Sequence, residues 1–362
     1  MSGPVPDSAG ALAERLFGAT LGALELFSVY LGAELGLYRA LLKHGPQTPD
    51  GLARAAGIGP RYAREWLEQQ AVAGLLGVED PAAEAGARRY ALDADHARVL
   101  AAPDDTAHLA PFAHMLVGIG QVLPLVVEAY RTGGGVPYHA YGEAFRHGQG
   151  HINRPAFTHE LPTDWLAAMP DVVARLDSAQ RARVADLGCG QGFSTIALAK
   201  AFLSAWVDGF DSDPASIADA RRHAAEAGLD GRVRLLQADA SELAAHGPFD
   251  LVVILEALHD MARPVEALAA ARGALAAGGT LLVVDERVAH SFTAPGDEVE
   301  RMMFGWSVTH CLPTQMVEQP SAALGAALRS DTVRQLAAKA SFASVEVLPV
   351  ENDFFRFYRL NP

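Results

Sequence analysis

The sequence predicts an α/β protein in which a mostly helical N-terminal part precedes an open sheet with helices on both faces. The chain has 362 residues, enough for two domains or one large one. Before about residue 160 apolar residues recur at helical spacing, and after it short β-branched runs alternate with Ala-rich helical segments. An apolar run at 184–187 leads directly into a glycine-rich loop and a helix, as in parallel sheets. We predict a helical domain, a helical linker that covers a cleft, and a sheet domain at 1–100, 101–164 and 165–362.

Composition excludes several classes of protein. The 43 acidic and 29 basic residues give a formal charge of −14, which argues against nucleic acid or an anionic membrane surface as the main partner. Two cysteines exclude a disulfide scaffold, and the N-terminal sequence lacks the features of a secretory signal. The longest uninterrupted apolar runs, such as 251–255 and 280–284, fall far short of the roughly 18 residues that span a bilayer. We therefore expect a soluble, cytoplasmic protein.

The first helices are unusually apolar. Between Ala11 and about Leu42, apolar residues occur on nearly every helix face and charges are few. One compact domain seldom covers so much apolar surface, so we predict that these helices pack against a second copy of the chain in a homodimer. The alternative is that they are buried against the rest of their own chain.

The next segment has the outline of a winged helix. Thr48 is a predicted N-cap with Pro49 at the first helical position, and Pro60 begins a second helix after a glycine turn. Loop residues then separate two short segments of a possible β-wing. The predicted elements are helices 49–56 and 60–73 and wing segments 75–76 and 89–92.

The charges of this winged helix argue against DNA binding. Residues 45–80 contain three basic and five acidic side chains, a net charge of −2. On the second helix, which would contact DNA, Arg61 and Arg64 are offset by Glu65 and Glu68. A DNA-binding surface needs a positive face toward phosphate. We therefore favour a role in dimerisation or in covering the substrate.

Residues 131–164 are rich in Gly, His and aromatic residues and poor in periodicity, which indicates a connecting segment over a cleft. His147, His151 and His159 suggest a metal site as one alternative. Glycines lie between the first two, and neither a carboxylate nor a cysteine completes an evident ligand set. We favour solvated or substrate-facing histidines and predict no metal.

The most informative motif is RVADLGCGQGFSTIALAKAF, residues 183–202. Its glycines, Gly188, Gly190 and Gly192, permit a tight turn and close approach of a ligand to a helix N-terminus. A second strand ends at Asp211, where a carboxylate is placed to accept hydrogen bonds from both ribose hydroxyls. The motif therefore predicts a nucleoside-containing cofactor.

The spacing of the glycines narrows the choice of cofactor. The G-x-G-x-G pattern differs from the dinucleotide G-x-G-x-x-G pattern. Asp186 directs a carboxylate toward the turn, where it would repel a pyrophosphate and attract an ammonium group. A ribose, an adenine and a cationic amino-acid tail fit these features, and together they describe S-adenosylmethionine.

At this point the sequence resembles the class I S-adenosylmethionine-dependent methyltransferases. The similarity extends in order through ADLGCGQG, GFDSD, LLQADASEL, FDLVVILEALHD and GGTLLVVDERV. The resemblance implies a Rossmann-like seven-stranded methyltransferase sheet. It also implies that Asp186 lies near the methionine end, that Asp211 binds the ribose, and that Asp239 with the Ala240 backbone contacts the adenine. We also assign Glu256 to the cofactor.

The EALHD motif indicates the reaction. His259 follows a strand at the carboxyl edge of the sheet, and neutral imidazole can accept a proton from a hydroxyl. Asp285 is a candidate to orient it, with Asp260 and Glu286 as alternatives. The arrangement resembles small-molecule O-methyltransferases of the caffeate and hydroxyketone types, whose winged helix forms an intertwined dimer. That resemblance places the general base on His259 and its carboxylate partner on Asp285.

Two details distinguish the sequence within this group. Methionine follows the His-Asp pair where tryptophan is usual, and LHDM with a later Cys-x-Pro is similar to an actinobacterial branch of winged-helix methyltransferases. A structural histidine that caps the turn is the alternative for His259. Met302, Phe304 and Trp306 are suited to line an acceptor pocket, although such a stripe is also typical of core. The last two segments, 344–349 and 354–360, are predicted to complete the sheet as an antiparallel hairpin.

The sequence thus predicts S-adenosylmethionine-dependent methyl transfer to a small-molecule acceptor, through a hydroxyl and with His259 as base. Two alternatives stay open. One is a winged-helix transcriptional regulator that senses S-adenosylmethionine, and the other is a non-methylating enzyme on the same scaffold.

Overall fold

The computed structural model describes residues 8–178, 181–229 and 231–362. The chain forms two compact units. The first comprises the described residues up to Gly118 together with Glu143–Pro155, and the second comprises Ile119–Gly142 together with Ala156–Pro362. Each unit is built from two separate segments of the chain, whereas the predicted domains 1–100, 101–164 and 165–362 are each one continuous segment.

The first unit contains the predicted winged helix. Thr48 caps its helix by accepting a hydrogen bond from the Gly51 amide at 3.2 Å, with Pro49 at the first position, as predicted. The helices and strands that begin in this unit are, in order, α1 (Ala9–Glu34), α2 (Leu37–His44), α3 (Pro49–Ala56), α4 (Pro60–Val72), β1 (Gly77–Val78), β2 (Tyr90–Ala91), α5 (Ala94–Ala101), and α6 (Pro111–Thr132).

The first wing strand lies two residues later than predicted. Strand β1 begins at Gly77, whose partner in β2 is Ala91, and Val78 pairs with Tyr90. Leu76 is buried in the helical core of this unit and precedes the strand. Its apolar side chain therefore reflects burial rather than strand formation.

The C-terminal part of α1 is anchored in this core. Trp66 donates its indole N–H to the Ser28 carbonyl at 2.9 Å, and Tyr38 donates its hydroxyl to Gln70 at 2.6 Å. A Cβ at Gly32 would lie 2.5 Å from the Trp66 ring, so only glycine permits this close approach. Large apolar side chains toward the N-terminal end of α1 are instead exposed.

Helices α1 and α6 are, by length and composition, long and apolar enough to cross a membrane. We expected no segment long and apolar enough to span a bilayer, because we counted only uninterrupted apolar runs. Measured over whole helices, α1 and α6 do not meet that expectation. Core helices of soluble proteins meet the same criterion, and 44% of the relevant α6 window is buried in the chain. The corresponding fraction in α1 is 11%, so most of this helix presents its apolar residues outward.

One predicted connecting segment is helical. After a 3₁₀ turn at Tyr138–Tyr141, helix α7 spans Gly142–Glu160 and continues into a π-helical turn at Leu161–Trp165. This part of the predicted linker 101–164 is therefore helical although its sequence periodicity is weak. Gly148 has low helix propensity, but a Cβ there would lie 2.7 Å from the Pro111 carbonyl oxygen, so close packing requires a glycine.

In the second unit, the described residues form the predicted seven-stranded sheet. Its strands are β3 (Arg183–Leu187), β4 (Trp206–Asp211), β5 (Val233–Gln237), β6 (Phe249–Leu255), β7 (Leu275–Glu286), β8 (Ser344–Val347) and β9 (Phe355–Asn361). The order is β5-β4-β3-β6-β7-β9-β8, and β9 runs antiparallel to both of its neighbours. The terminal hairpin is therefore confirmed.

Helices cover both faces of this sheet. Successive side chains of strand β3 pack on opposite faces of the sheet. Val184 belongs to the apolar cluster on one face and Ala185 to the cluster on the other. The helices of this unit are α8 (Pro170–Ser178), α9 (Phe193–Ala201), α10 (Pro214–Glu226), α11 (Pro264–Gly273), α12 (Glu298–Trp306), α13 (Leu312–Gln315) and α14 (Ser330–Lys339). The doubly wound α/β class is thus confirmed.

Candidate active site

The glycine-rich loop after β3 has the backbone that its sequence predicts. Gly188, Gly190 and Gly192 have φ values of 82°, 49° and 80°, in the left-handed region that favours glycine. A Cβ at Gly188 would also lie 2.6 Å from the Ala257 Cβ. The loop ends at the N-terminus of α9, where backbone N–H groups are available to a ligand.

Asp186 lies beneath this loop and is almost fully buried. Its Oδ2 accepts hydrogen bonds from the Ser194 and Thr195 hydroxyls, both at 2.6 Å. Burial raises the pKa of Asp186, although these two hydrogen bonds oppose the rise. The carboxylate therefore holds the first turn of α9 against the end of β3.

Asp211 ends β4, next to the same loop. One carboxylate oxygen accepts from the Gly190 amide at 2.9 Å and the other accepts from the Asp213 amide at 2.8 Å. Its surroundings raise its pKa to about 6, mainly by desolvation, while the two backbone donors oppose this. Each oxygen retains a lone pair, so the carboxylate can still accept from a ribose hydroxyl.

Asp239 follows β5 at the same sheet edge. It caps the 3₁₀ turn Ala240–Ala245 and accepts a hydrogen bond from the Ser241 amide at 2.9 Å. The Ser241 hydroxyl also donates to Asp239 and lowers its pKa. The Asp239 side chain is 44% exposed, so it is accessible to a ligand at the edge.

The site fits the predicted cofactor in the chemistry of its donors and acceptors. The positive-φ glycines leave space for close approach, and Asp211 and Asp239 offer acceptors at the ends of neighbouring strands. These are the groups that a ribose and an adenine require.

Asp285 is the carboxylate that contacts His259. The Asp285 Oδ1 lies 2.9 Å from His259 Nδ1, and Oδ2 accepts from the His259 main-chain N–H at 3.3 Å. Asp285 is completely buried and His259 is 4% exposed. Asp260 Oδ1 lies 3.4 Å from the other ring nitrogen, Nε2. The carboxylate that the sequence favoured therefore orients the ring.

The charges around His259 favour its protonated form. Burial opposes the imidazolium, but Asp285 and Asp260 outweigh burial and raise the pKa of His259 well above 6.5. A general base must be neutral before it accepts a proton. A cationic ligand beside the ring would lower this pKa again.

A buried pair of glutamates lies at the ends of β6 and β7. Glu256 and Glu286 interact electrostatically, and each has a buried carboxyl oxygen without a hydrogen-bond partner among the described residues. Desolvation raises the pKa of Glu286 to about 8 and that of Glu256 well above its usual value. Desolvation and the mutual repulsion of the two groups therefore favour a proton on the pair.

Sequence reasoning did not find this pair. It placed Glu256 at the cofactor and kept Glu286 as a possible partner of His259. Glu256 has a positive φ of 53°, rare for a residue with a Cβ, and its amide donates to the Val284 carbonyl at 2.9 Å. This unusual backbone conformation belongs to the turn after β6 that carries the EALHD motif.

Known proteins resemble both parts of the chain. Residues 178–337 match a family described as "Methyltransferase domain", and residues 22–102 match the "Rv2258c-like winged HTH domain". The chain carries an S-adenosylmethionine-dependent methyltransferase domain.

Among curated relatives, the trans-aconitate 2-methyltransferase of Streptomyces avermitilis is 33% identical over 133 residues, 36% of this chain and 48% of that protein. The acetylserotonin O-methyltransferase of Mus musculus molossinus is 28% identical over 298 residues, 77% of this chain and 75% of that protein. The chain spans less than half of the trans-aconitate enzymes that it matches.

Solved structures share the architecture of the whole chain. Human N-acetylserotonin methyltransferase, in complex with S-adenosylmethionine, has a TM-score of 0.68 at 17% identity and covers 99% of both chains. A mitomycin 7-O-methyltransferase has a TM-score of 0.67 at 21% identity and covers 98% of both. At these identities the similarity establishes the fold.

The segment after α12 supplies further residues to the methyltransferase domain near His259. A π-helical turn spans Ser307–Cys311, and Gln315 donates its side-chain amide to the His259 carbonyl. The Tyr141 hydroxyl donates to the Thr309 carbonyl at 2.9 Å. Gln315 and Tyr141 were not among the predicted site residues, because a local sequence motif does not identify contacts between distant segments.

Within the same segment, His310 and Cys311 are buried. Burial lowers the pKa of His310 to about 4 and raises the pKa of the Cys311 thiol to about 12. The His310 ring packs edge-on against Tyr141, with centroids 4.8 Å apart. Both groups are therefore uncharged at neutral pH in the ligand-free chain.

The three predicted pocket residues lie on α12 in different surroundings. Met302 and Trp306 pack against a small apolar cluster that includes Met303 and Cys311. Phe304 is 37% exposed and contacts Phe292 edge-on. Their assignment to an acceptor pocket stays a prediction.

On the winged helix, several arginine side chains form ion pairs with glutamates. Arg61 pairs with Glu65, and Arg64 pairs with Glu68 along α4. Glu68 also receives Arg88 from the segment before β2 at 3.1 Å. These arginines are therefore partly neutralised, which weakens the positive face that phosphate binding needs.

Because the glutamate pair holds a proton, it should link the stability of the methyltransferase domain to pH. The raised pKa of Glu286 gives a contribution that is complete below pH 4.5 and is lost as pH rises to about 8. We predict that Glu286→Gln removes this dependence. The free energy of unfolding of the native protein should fall relative to that of the variant over this interval, measured by urea denaturation at one protein concentration. Glu298→Gln, at an exposed carboxylate of α12, is the control. Parallel pH profiles for native protein and Glu286→Gln would contradict a proton on the pair.

Proposed function

We propose that the protein transfers the methyl group of S-adenosylmethionine to a hydroxyl of a small molecule, with His259 as general base. The observation that carries this proposal is the buried Asp285–His259 hydrogen bond of 2.9 Å at the carboxyl edge of the sheet. Ligands of open α/β sheets bind at this edge. The names of the relatives include O-methyltransferases that act on mitomycin and acetylserotonin, which supports oxygen as the acceptor atom.

The cofactor would be held along the ends of β3, β4, β5 and β6. Asp211 would accept from the ribose hydroxyls, and Asp239 with the Ala240 backbone would contact the adenine. Asp186 would lie near the methionine end, beneath the loop Gly188–Gly192, and Glu256 would also contact the cofactor. When bound, S-adenosylmethionine supplies an electrophilic methyl group on a sulfonium.

His259 would take the proton of the acceptor hydroxyl. Asp285 fixes Nδ1 as the N–H tautomer, which leaves the Nε2 lone pair as the proton acceptor. The cofactor would supply the methyl group to the acceptor oxygen with loss of its carbon–sulfur bond, and His259 Nε2 would receive the hydroxyl proton. Positioning should provide most of the acceleration, with the base adding roughly 10²–10⁴-fold.

The N-terminal helical domain would mediate dimerisation rather than DNA binding. Exposed apolar side chains line the N-terminal part of α1, with exposures of 40–67% at Leu12, Leu16, Phe17, Leu21, Leu24 and Phe27. A surface of this kind favours a protein partner over water. A homodimer through α1 covers it with an equivalent surface. The proposed location of the protein is the cytoplasm.

Replacing Asp211, the proposed ribose-binding residue, should weaken cofactor binding without unfolding the protein. Asp211→Ala should weaken S-adenosylmethionine binding roughly tenfold or more, because hydrogen bonds to a charged acceptor contribute about 1.5–3 kcal/mol. Isothermal titration calorimetry measures the affinity, and circular dichroism melting verifies the fold. Asp177→Ala, at an exposed carboxylate of α8, is the control. Equal affinity in native protein and Asp211→Ala would exclude the ribose role.

Removing the base should affect turnover more than cofactor affinity. In the native protein kcat/KM should rise with pH as His259 loses its proton, because nearby carboxylates raise its pKa above 6.5. His259→Ala should lower kcat by roughly 10²–10⁴-fold and abolish this rise. Methyl incorporation from labelled cofactor, across a panel of phenolic and polyketide-like acceptors, identifies an acceptor and then measures the rate. His290→Ala is an exposed-histidine control. An unchanged pH profile in His259→Ala would remove this residue from the mechanism.

Charges on the exposed α1 face should disrupt the proposed dimer. Phe17→Glu combined with Leu24→Glu should give a monomer, because burying two carboxylates in an apolar interface is unfavourable. Light scattering after size-exclusion chromatography measures the mass. Leu203→Glu introduces a charge at a leucine that is 75% exposed in the other unit and should leave the mass unchanged. A dimeric double variant, or a monomeric native protein, would contradict the α1 interface.

A further inference from the structure

The segment after α12 brings a thiol beside the candidate base. His259, Asp260 and Cys311 each contribute one nitrogen, oxygen or sulfur atom, and these three atoms lie within 4.8 Å of one another. We infer that these side chains form a zinc site with one open coordination position. The inference uses the histidine of the proposed function but does not require that methyl transfer occurs.

The orientation of His259 suits metal ligation. Asp285 occupies Nδ1, so the Nε2 lone pair is directed away from it, and Nε2 lies 3.4 Å from Asp260 Oδ1. Histidines that bind metals usually have a carboxylate or carbonyl on the other ring nitrogen, which fixes the tautomer and increases ligand basicity. Asp285 therefore provides the outer-shell support that such a site needs.

The other two donors are available to a cation. Asp260 Oδ1 is buried and has no hydrogen-bond partner among the described residues. Cys311 is 5% exposed, and its Sγ lies within 4.8 Å of the His259 and Asp260 donor atoms. A metal ion would bind the Asp260 oxygen, which lacks a hydrogen-bond partner. It would also take the place of the Cys311 thiol proton.

The surrounding charge also favours a cation. The electrostatic neighbours of the Glu256–Glu286 pair are Asp285, Asp260 and His259, so carboxylates predominate here. A divalent ion beside them would be attracted by this negative field. Gln315 further holds the Cys311 segment by its hydrogen bond to the His259 carbonyl. The ligands are thus placed before the ion binds.

The donor set identifies the class of metal. A mixture of imidazole, carboxylate and thiolate favours zinc over magnesium or calcium, which prefer oxygen ligands only. Three protein ligands leave a fourth tetrahedral position for water or a ligand oxygen. Binding converts the Cys311 thiol to a thiolate and requires a neutral His259, so the thiol proton and the Nε2 proton of the imidazolium are both released to solvent.

Zinc occupancy and base catalysis exclude each other. The Nε2 lone pair cannot both bind zinc and accept a proton from a hydroxyl. Zinc should therefore inhibit the proposed methyl transfer, and a chelator should restore it. The site makes the histidine sensitive to the availability of free zinc.

Cobalt titration of the native protein, without cofactor or acceptor, tests the site directly. Cobalt replaces zinc in such sites and reports a thiolate ligand by a near-ultraviolet charge-transfer band. We expect one equivalent of cobalt to produce this band and added zinc to displace it. Cys311→Ala should abolish the band, whereas Cys189→Ala, at the other cysteine, should retain it. Absence of the band in native protein, or its persistence in Cys311→Ala, would overturn the site.

Zinc affinity provides a second measurement. Asp260→Asn and Asp285→Asn should each weaken zinc binding by roughly 10–100-fold in competition with a chromophoric chelator. Circular dichroism verifies that each variant is folded, and equal affinity in both folded variants and native protein would overturn the ligand assignment.

Inhibition separates this site from the proposed function. The methyl-transfer rate of each protein is measured at increasing zinc and divided by its own rate in the presence of chelator. Cys311→Ala should require at least tenfold more zinc for half inhibition than native protein. Equal zinc sensitivity of the two would overturn the site. If no acceptor were methylated, the proposed function would fail while the cobalt titration would still decide the metal site.

Discussion

The hydrogen bond between Asp285 and His259 is the interaction on which the candidate active site depends. Asp285 is completely buried at the end of β7 and accepts from the His259 ring, the His259 main chain and the Glu286 amide. A carboxylate in such a position is stable only if its oxygens have donors. The same bonds therefore fix the turn after β6, the tautomer of the imidazole and the direction of Nε2.

The parts of the site that the sequence predicted depend on one topological rule. Parallel strands bring their carboxyl ends to one edge, so residues at or just after the ends of β3, β4 and β7 lie along that edge even though they are far apart in the chain. Gly188, Asp211 and Asp285 could be placed in this way from local patterns. Position at the strand end left Asp285, Asp260 and Glu286 open as partners of His259, and the resemblance to O-methyltransferases favoured Asp285.

Other parts of the site depend on contacts that local patterns do not contain. The Glu256–Glu286 pair forms because Glu256 takes a left-handed conformation after β6, which its sequence does not indicate. The π-helical turn that carries Cys311 is set by packing and by Gln315, and helix α7 includes residues of low helix propensity. In each case tertiary contacts decide the local structure, so local sequence patterns do not predict it.

The electrostatics of the edge connect the two proposals. Asp285, Asp260 and the glutamate pair surround His259 with negative charge, and burial makes this arrangement costly for the folded chain. A ligand that brings positive charge relieves that cost and is bound more tightly for the same reason. The sulfonium of S-adenosylmethionine and a zinc ion both meet this requirement, yet they act differently on the histidine. The sulfonium lowers the pKa of His259 and so favours the neutral base, whereas zinc occupies the lone pair itself. The same negative field would thus promote catalysis with one cation and prevent it with the other.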